Sequence, residues 1–316
     1  MHAQTIAPVI FCASPSSRAL LRHARRFADV GATVLVTGET GVGKNALARY
    51  LHAASARRAE PFVTVDCPAI PATLVEAELF GHERGAFTDA TIARAGRFEL
   101  AGAGTLYLDA VTGLTAMGQG ALLRVLEERT VSRLGGTSTV PVNARIVASA
   151  DAAVEQLVRD GQFRAELFHR LCVLPIRIPP LRERPADILP LARRFTADIC
   201  QALRQSPATI ARDAGDALVR YPWPGNVREL RHVLERVLLT GARNEIHAAD
   251  LPLDLVEAPD VYSTAPAALP PTLAEVERRY IAVTLHRTRG NQSKAAAILG
   301  ISRKALWEKR KRFDLA

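Results

Sequence analysis

The 316-residue chain is poor in aromatic residues and cysteine, and it lacks a long hydrophobic run. Aromatic residues make up 5% of the sequence. The four cysteines are too far apart for a metal motif or a disulfide framework. No apolar run approaches the ~18–20 residues that span a membrane, and the N-terminus has no signal-peptide pattern. We therefore expect a cytoplasmic chain with no membrane partner.

Positive charge is abundant, and it is concentrated at the C-terminus. The net charge is +9, and residues 272–316 hold eleven Lys or Arg against four Asp or Glu. Residues 254–271 contain four prolines, three acids and no base, which predicts an extended linker. A small basic unit behind a linker is typical of a nucleic-acid binder, although charge alone also fits a solvated basic surface.

Before the linker, short β-branched runs alternate with helical patterns. Strands are predicted at residues 33–37, 62–65, 105–108 and 145–148, and helices at residues 44–54, 119–128 and 188–203. This alternation favours an α/β fold with a parallel sheet wrapped by helices. Residues 187–239 are predicted to be all-helical, which suggests a helical lid on that core.

A phosphate-binding loop follows the first strand. Residues 38–45 read G-E-T-G-V-G-K-N between a strand and a helix, the context that a P-loop requires. Glycines let backbone N–H groups surround phosphate oxygens, and Lys44 reaches the β- and γ-phosphates. Asp109, at the end of another strand, is expected to hold the water shell of Mg²⁺. The residues predicted to bind ATP and Mg²⁺ are Gly38, Glu39, Thr40, Gly41, Val42, Gly43, Lys44, Asn45 and Asp109. Asn45 stands where many P-loops have Ser or Thr.

The basic C-terminal unit has the pattern of a helix-turn-helix. Residues 272–286 form a helical pattern with Leu273, Val276, Tyr280 and Val283 on one face. Residues 302–313 are predicted to be the helix that enters the major groove of double-stranded DNA.

Small and polar residues mark the boundaries of these helices. We expect Ser293 to cap the middle helix, Gly300 to make the turn and Ser302 to cap the last helix. Base or phosphate contacts are predicted for Ser302, Arg303, Lys304, Lys309, Arg310 and Arg312. Leu306 and Trp307 are predicted to lie in the core, because apolar residues at this spacing hold such helices together.

Four further motifs give the chain a family resemblance. They are E-L-F-G-H-E-R-G-A-F-T-D-A at residues 78–90, F-R-A-E-L-F-H-R-L at 163–171, P-P-L-R-E-R at 179–184 and W-P-G-N-V-R-E-L at 223–230. With the P-loop they resemble the bacterial enhancer-binding proteins, the AAA+ activators of sigma-54 RNA polymerase. The resemblance runs from about Ile10 to the C-terminus, where the basic unit is similar to the Fis-type DNA-binding domain.

This resemblance implies a domain layout and roles for several residues. It implies an AAA+ core at 10–180, a helical lid at 181–253, a linker at 254–271 and a helix-turn-helix domain at 272–316. Arg164 and Arg170 would be arginine fingers that reach a neighbouring subunit's nucleotide, and Arg228 would be the sensor arginine of the lid. The loop residues expected to contact the sigma factor are Phe87, Thr88 and Asp89.

The chain departs from the family pattern where the chemistry occurs. Ala110 replaces the Glu that polarises the attacking water, and Asp66 replaces the Asn that holds that Glu. Ala150-Asp151 replaces Thr-Asn, and Asp89 replaces the second glycine of the signature loop. Glycines at 113, 118 and 120 stand where better helix formers are usual, and each is expected to weaken the helix. Asp66 is a candidate substitute base; the plainer interpretation is that it only binds backbone or solvent.

We therefore predict a DNA-binding transcriptional regulator that binds ATP and assembles into a dimer or a hexamer-type ring. Hydrolysis is expected to be weak or absent, since a methyl group cannot accept a proton. Two alternatives are a hydrolysing activator that remodels sigma-54 polymerase, and a regulator that works without sigma-54. Because the AAA+ region starts near Ile10, we expect no sensor domain before it and control by a partner protein or small ligand.

Overall fold

The chain forms two compact units, Met1–Val256 and Glu257–Ala316. The computed structural model describes residues 13–87, 90–241, 244–252, 255, 277–278, 280–281, 284–285 and 292–313. None of the described helices is long and apolar enough to cross a membrane. Cys12 and nearly all of the predicted linker lie outside the described residues.

The first unit combines a central sheet with surrounding helices and short hairpins. Its strands are Val34–Thr37 (β1), Phe62–Asp66 (β2), Gly81–His82 (β3), Arg94–Ala95 (β4), Thr105–Asp109 (β5), Thr130–Ser132 (β6), Thr139–Pro141 (β7), Arg145–Ala150 (β8), Leu174–Arg177 (β9), Thr209–Ile210 (β10) and Glu245–Ile246 (β11). Its helices are Pro15–Phe27 (α1), Lys44–Ala53 (α2), Val75–Phe80 (α3), Arg97–Ala101 (α4), Ala116–Glu128 (α5), Val154–Arg159 (α6), Ala165–Leu171 (α7), Ile188–Ala202 (α8), Arg212–Arg220 (α9) and Asn226–Thr240 (α10).

The predicted parallel sheet is confirmed, with a fifth strand that the sequence pattern had not indicated. The order is β2-β5-β8-β1-β9, and every pairing is parallel. The inner strands are buried on both faces because helices cover the sheet on each side. Since all five strands run the same way, the residues that follow β1, β2, β5 and β8 meet at one edge, where ligands bind in such sheets.

The region after the core is mostly helical, but the all-helical prediction for residues 187–239 is wrong in one place. Residues 209–210 form β10, which pairs in parallel with β11. Helix α8 ends at Ala202, and Arg204 takes a left-handed conformation (φ 55°) that stops it. The helices α8, α9 and α10 bury a second core around Trp223, which is fully enclosed.

The glycine-rich segment before and within α5 forms a helix where its glycines allow close packing. The helix starts at Ala116, three residues earlier than predicted, and Thr115 caps it by accepting from the Gly118 N–H at 3.2 Å. A Cβ on Gly113 would lie 2.6 Å from Pro68 Cγ, and one on Gly118 would lie 2.9 Å from Val75 Cγ1. At these two positions the glycines are therefore a condition of the packing and not only a cost to the helix.

The second unit contains a helix-turn-helix. Helix α11 spans Gln292–Leu299 and α12 spans Arg303–Phe313. Gly300 makes the turn between them in a left-handed conformation (φ 66°), as predicted. Ser302 caps α12 by accepting from the Ala305 N–H at 3.1 Å, also as predicted. Among the described residues of this unit, the buried apolar side chains are Ile281, Leu285, Ala295, Ala296 and Leu306.

Three predictions for this unit are corrected. Ser293 lies within α11, which starts one residue earlier, so it is not the cap. Tyr280 is exposed, because Ile281 and Leu285 supply the buried face of their helical segment. Trp307 is exposed as well, because Leu306 fills the core position beside it. Leu273, Val276 and Val283 lie outside the described residues.

Candidate nucleotide-binding site and DNA-binding helix

The loop that joins β1 to α2 has the backbone geometry of a phosphate cradle. Gly41 and Gly43 are left-handed (φ 80° and 107°), and a Cβ on Gly41 would lie 2.2 Å from the Gly225 carbonyl oxygen. Within the described part of the chain, the N–H groups of Gly41, Gly43 and Lys44 donate to no acceptor. Unpaired N–H groups at a helix N-terminus favour anions, so the loop fits a phosphate chain.

Lys44 lies across this loop and is paired with Asp151. Its Nζ donates to the carbonyl oxygens of Gly38 at 2.6 Å and Glu39 at 3.2 Å. Asp151 Oδ1 lies 3.4 Å from the same Nζ, and the Asp151 side chain is largely exposed. The structure therefore places this unusual acid next to the P-loop lysine, whose positive charge it partly neutralises.

The side chain of Glu39 is turned towards the lid. It forms a two-pronged ion pair with Arg182, at 2.6 and 2.9 Å, and this pairing holds the pKa of Glu39 below its ordinary value. Asn226 Nδ2 donates to Glu39 Oε2 at 3.1 Å and to the Thr40 carbonyl oxygen at 3.0 Å. The side chain of Glu39 thus connects the P-loop to the lid.

Two arginines of the lid region also contact the loop backbone. Arg184 Nη2 donates to the carbonyl oxygen of Val42 at 2.8 Å. The backbone N–H of Arg228 donates to the carbonyl oxygen of Gly41 at 3.3 Å. Arg228 also lines a cavity of about 410 Å³ together with Thr40. The predicted sensor arginine therefore lies beside the P-loop. The contacts of Arg182, Arg184 and Asn226 were missed in the sequence, although all three lie in quoted motifs.

Asp109 is held in place by two hydroxyl groups. Its Oδ1 accepts from Tyr107 Oη at 2.8 Å and from Ser149 Oγ at 2.6 Å. Ser149 Oγ in turn accepts from the Ala110 N–H at 2.8 Å. Burial raises the pKa of Tyr107, so the phenol stays a donor. Oδ2 accepts no hydrogen bond from the residues that the structure describes, so this oxygen suits a water ligand of Mg²⁺. No sequence pattern indicated the roles of Ser149 and Tyr107.

The residues next to Asp109 differ in their capacity to accept a proton. Ala110 is left-handed (φ 50°) and carries only a methyl group. Asp66 is the register partner of Asp109 on β2, and its side chain is exposed. Burial and the two nearby carboxylates raise the pKa of Cys67 to about 12, so this thiol stays protonated. Asp66 is thus the carboxylate that adjoins Asp109.

The predicted arginine fingers are both on the surface. Arg164 precedes α7 and donates its backbone N–H to Gln119 Oε1 at 2.9 Å, and Arg170 lies in the last turn of the same helix. Their side chains are exposed and form no ion pair with any described residue. Phe87, in the signature loop, packs against His82 with ring centroids 4.9 Å apart. Thr88 and Asp89 lie outside the described residues.

Helix α12 presents only part of its predicted DNA-binding set to solvent. Ser302, Arg303, Lys304 and Arg312 are exposed. Lys309 is half-buried in an ion pair with Glu277, and Arg310 is half-buried. The exposed cations of the predicted set therefore lie on the outer face of the helix.

Comparison with known proteins agrees with this geometry. The sigma-54 interaction domain family matches residues 10–177, the AAA+ ATPase lid domain family residues 182–267, and the Fis family of bacterial regulatory proteins residues 272–313.

Individual relatives match over about three quarters of the chain or more. The regulatory protein FlbD of Caulobacter vibrioides is 41% identical over 95% of this chain and 69% of its own length. The sigma-54-dependent activator SfnR of Pseudomonas putida is 47% identical over 76% of this chain and 65% of its own. The crystal structure of NtrX from Brucella abortus in complex with ATP superposes with a TM-score of 0.71 at 32% identity, covering 96% of this chain and 69% of that one. The chain belongs to the family of sigma-54-dependent transcriptional regulators, with an AAA+ core, a lid and a Fis-type helix-turn-helix DNA-binding domain.

Proposed function

We propose that the chain binds Mg-ATP as a ligand for assembly on DNA and hydrolyses it slowly or not at all. One observation carries this proposal. The loop donors, Lys44 and a fixed Asp109 are all in place, whereas a methyl group occupies position 110. The similar NtrX chain in complex with ATP supports the nucleotide assignment. Bound Mg-ATP supplies a charged triphosphate that the loop N–H groups and Lys44 would hold and that Asp109 would orient through magnesium waters.

Loss of the general base explains why hydrolysis is proposed to be slow. A positioned base contributes ~10²–10⁴ in rate, whereas the groups that bind phosphate act independently of it. Asp66 is the specific observation in favour of a hydrolysing enzyme, because it adjoins Asp109 on β2. An exposed carboxylate next to a triphosphate is repulsive unless Mg²⁺ screens it, so we rank this second.

The proposed roles in assembly and in transcription each depend on exposed residues, which lie on different parts of the chain. Arg164 and Arg170, whose exposed side chains form no ion pair with a described residue, are proposed to reach the nucleotide of a neighbouring copy. Nucleotide binding and subunit contact then become one linked equilibrium. Helix α12 is proposed to dock on duplex DNA, and Phe87 to contact RNA polymerase through sigma-54. Regulation without sigma-54 is the alternative that the altered loop residue Asp89 permits.

The test measures phosphate release and ATP binding in the same samples of full chain, over a range of protein concentrations. Wild type is compared with Lys44→Ala, Ala110→Glu and Asp66→Asn. Arg124→Ala serves as a control because, among the described residues, its side chain forms an ion pair only with Glu128 on the same helix α5. We expect wild type to bind ATP with turnover at least ~10²-fold below that of Ala110→Glu. Lys44→Ala should lose binding.

Wild-type turnover that rises with concentration and disappears in Asp66→Asn would overturn slow hydrolysis and make Asp66 the base. Absence of ATP binding in wild type would overturn the role of ATP as an assembly ligand. ATP-dependent growth in mass, measured by light scattering, checks the assembly step separately.

A further inference from the structure

The outer face of α12 carries an aromatic ring that the DNA-binding pattern does not account for. Trp307 is 55% exposed, whereas the other tryptophan, Trp223, is fully buried. A single exposed apolar side chain is unremarkable by itself. The position of Trp307 gives it significance, because it lies on the helix that follows the turn of a helix-turn-helix.

Cations surround this ring on the same face. Arg303 lies one turn before Trp307, Lys304 lies three residues before it, and both are exposed. Lys311 lies one turn after it, with its Nζ 5.5 Å from the centroid of the indole ring. Glu308 is the one acidic residue of α12. Two copies of this face would repel each other, because both are positively charged. The cations favour a polyanion as the partner, and the indole ring favours one that displays apolar groups in a groove.

We propose that Trp307 determines sequence specificity by packing its indole ring against the C5-methyl group of a thymine in the major groove. The thymine methyl is the apolar group that this groove displays. Arg303 and Lys304, at the start of the helix, would contact base edges or phosphates next to it. This inference rests on the proposal that α12 docks on duplex DNA. It further specifies the base that the helix prefers and the residue that determines this preference.

The experiment begins with selection of duplexes from a random pool by the full chain. The selected duplex is then remade with uracil in place of thymine at one position at a time, which removes only the methyl group. Wild type should lose about fourfold in affinity at one position, the value for one buried methyl. Trp307→Ala should bind more weakly and no longer distinguish thymine from uracil there, while Trp307→Phe keeps part of the discrimination.

Tyr280→Ala is the matched control, because Tyr280 is an equally exposed aromatic residue of the same unit on another helix. It should behave as wild type. The slope of affinity against salt should be the same in Trp307→Ala and wild type, since an indole displaces no counterion. Because Trp223 is buried, acrylamide quenches mainly Trp307, and bound DNA should protect it.

Four results would overturn the inference. In the first, uracil costs the same in wild type and Trp307→Ala. In the second, Trp307 stays open to acrylamide on DNA while Arg303→Ala weakens binding; this refutes the role of Trp307 but leaves DNA docking intact. In the third, no duplex is selected at all, which refutes both proposals. Protection of Trp307 that grows with protein concentration without DNA would instead identify a second copy as its partner.

Discussion

At the scale of single residues, three acids at one edge of the sheet have three different environments. Asp109 is fixed by Tyr107 and Ser149, Asp66 is exposed beside it, and Asp151 is paired with Lys44. The same residue type therefore has three different surroundings: one acid is held by two hydroxyl groups, one is exposed, and one is paired with the lysine of the loop.

The pairing of Asp151 leads to a prediction for nucleotide affinity. Asp151→Asn should tighten ATP binding by about two- to fivefold at low salt, because it removes a negative charge near the triphosphate and releases Lys44. The effect should be modest, because the pair is long at 3.4 Å and the Asp151 side chain is exposed to solvent. Titration with a fluorescent ATP analogue at two ionic strengths measures this, and the gain should shrink at high salt.

Asp160→Asn is the control, since Asp160 lies at the end of α6 and accepts from Gln156. Unchanged or weaker binding in Asp151→Asn would mean that Asp151 helps to position Lys44 and does not compete with phosphate.

At the scale of elements, the loop between β1 and α2 takes its shape from residues far along the chain. Arg182 and Asn226 hold Glu39, and Arg184 holds Val42. A movement of the lid must therefore move the loop. The glycines of α5 also depend on distant parts of the chain. The effect of each glycine on stability is set by the element that packs against it.

Helix α5 offers a pair of glycines with opposite expected outcomes. Gly120→Ala should raise the melting temperature of the AAA+ unit by roughly 1–4 °C, because alanine favours the helix and its Cβ would meet only Arg164, at 3.9 Å. Gly118→Ala should give no gain, because its Cβ would lie 2.9 Å from Val75 Cγ1.

Calorimetry of the two variants beside wild type checks this prediction. Equal stabilisation by both substitutions would show that α5 and α3 can separate freely, and that close packing does not require glycine at 118.

At the scale of the whole AAA+ unit, α1 is fastened at both ends to different parts of the structure. Its first turn is held by Asp187, a fully buried acid of the lid region that accepts from the N–H groups of Ala13 and Ser14 at 2.7 and 2.6 Å and from the hydroxyl of Ser17. Its last carbonyls accept from Arg145 on β8, where burial lowers the pKa of Arg145 to about 10. The helix therefore links the lid to the sheet.

Because Asp187 forms this link, a single substitution there should strongly destabilise the AAA+ unit. Asp187→Asn should destabilise the AAA+ unit by on the order of 3 kcal/mol, since an amide nitrogen would face donors in a buried site. The melting temperature, measured by calorimetry, should therefore fall by roughly 6–12 °C. Asp198→Asn is the matched control, because it removes an acid of α8 whose one ion pair among the described residues is at the surface, with Arg194. Equal effects of the two variants would contradict a structural role for the link.

The sequence alone determined the features that depend on local pattern. The P-loop follows from glycine spacing between a strand and a helix, and the turn at Gly300 follows from a residue that adopts positive φ without strain. Motif residues also identified the family before any contact was known, because long motifs carry information that does not depend on tertiary structure.

Only the tertiary structure decided the features that depend on partners distant in the chain. Ser149 orients Asp109 from the neighbouring strand, Asp151 meets Lys44 across 107 positions of sequence, and Arg182 takes the side chain of Glu39. Trp307 followed the apolar spacing of a core residue, yet Leu306 fills that core and leaves the indole in solvent. Hydrophobicity and spacing indicate which residues can be buried. The packing of one helix against the others decides which of two neighbouring residues is buried.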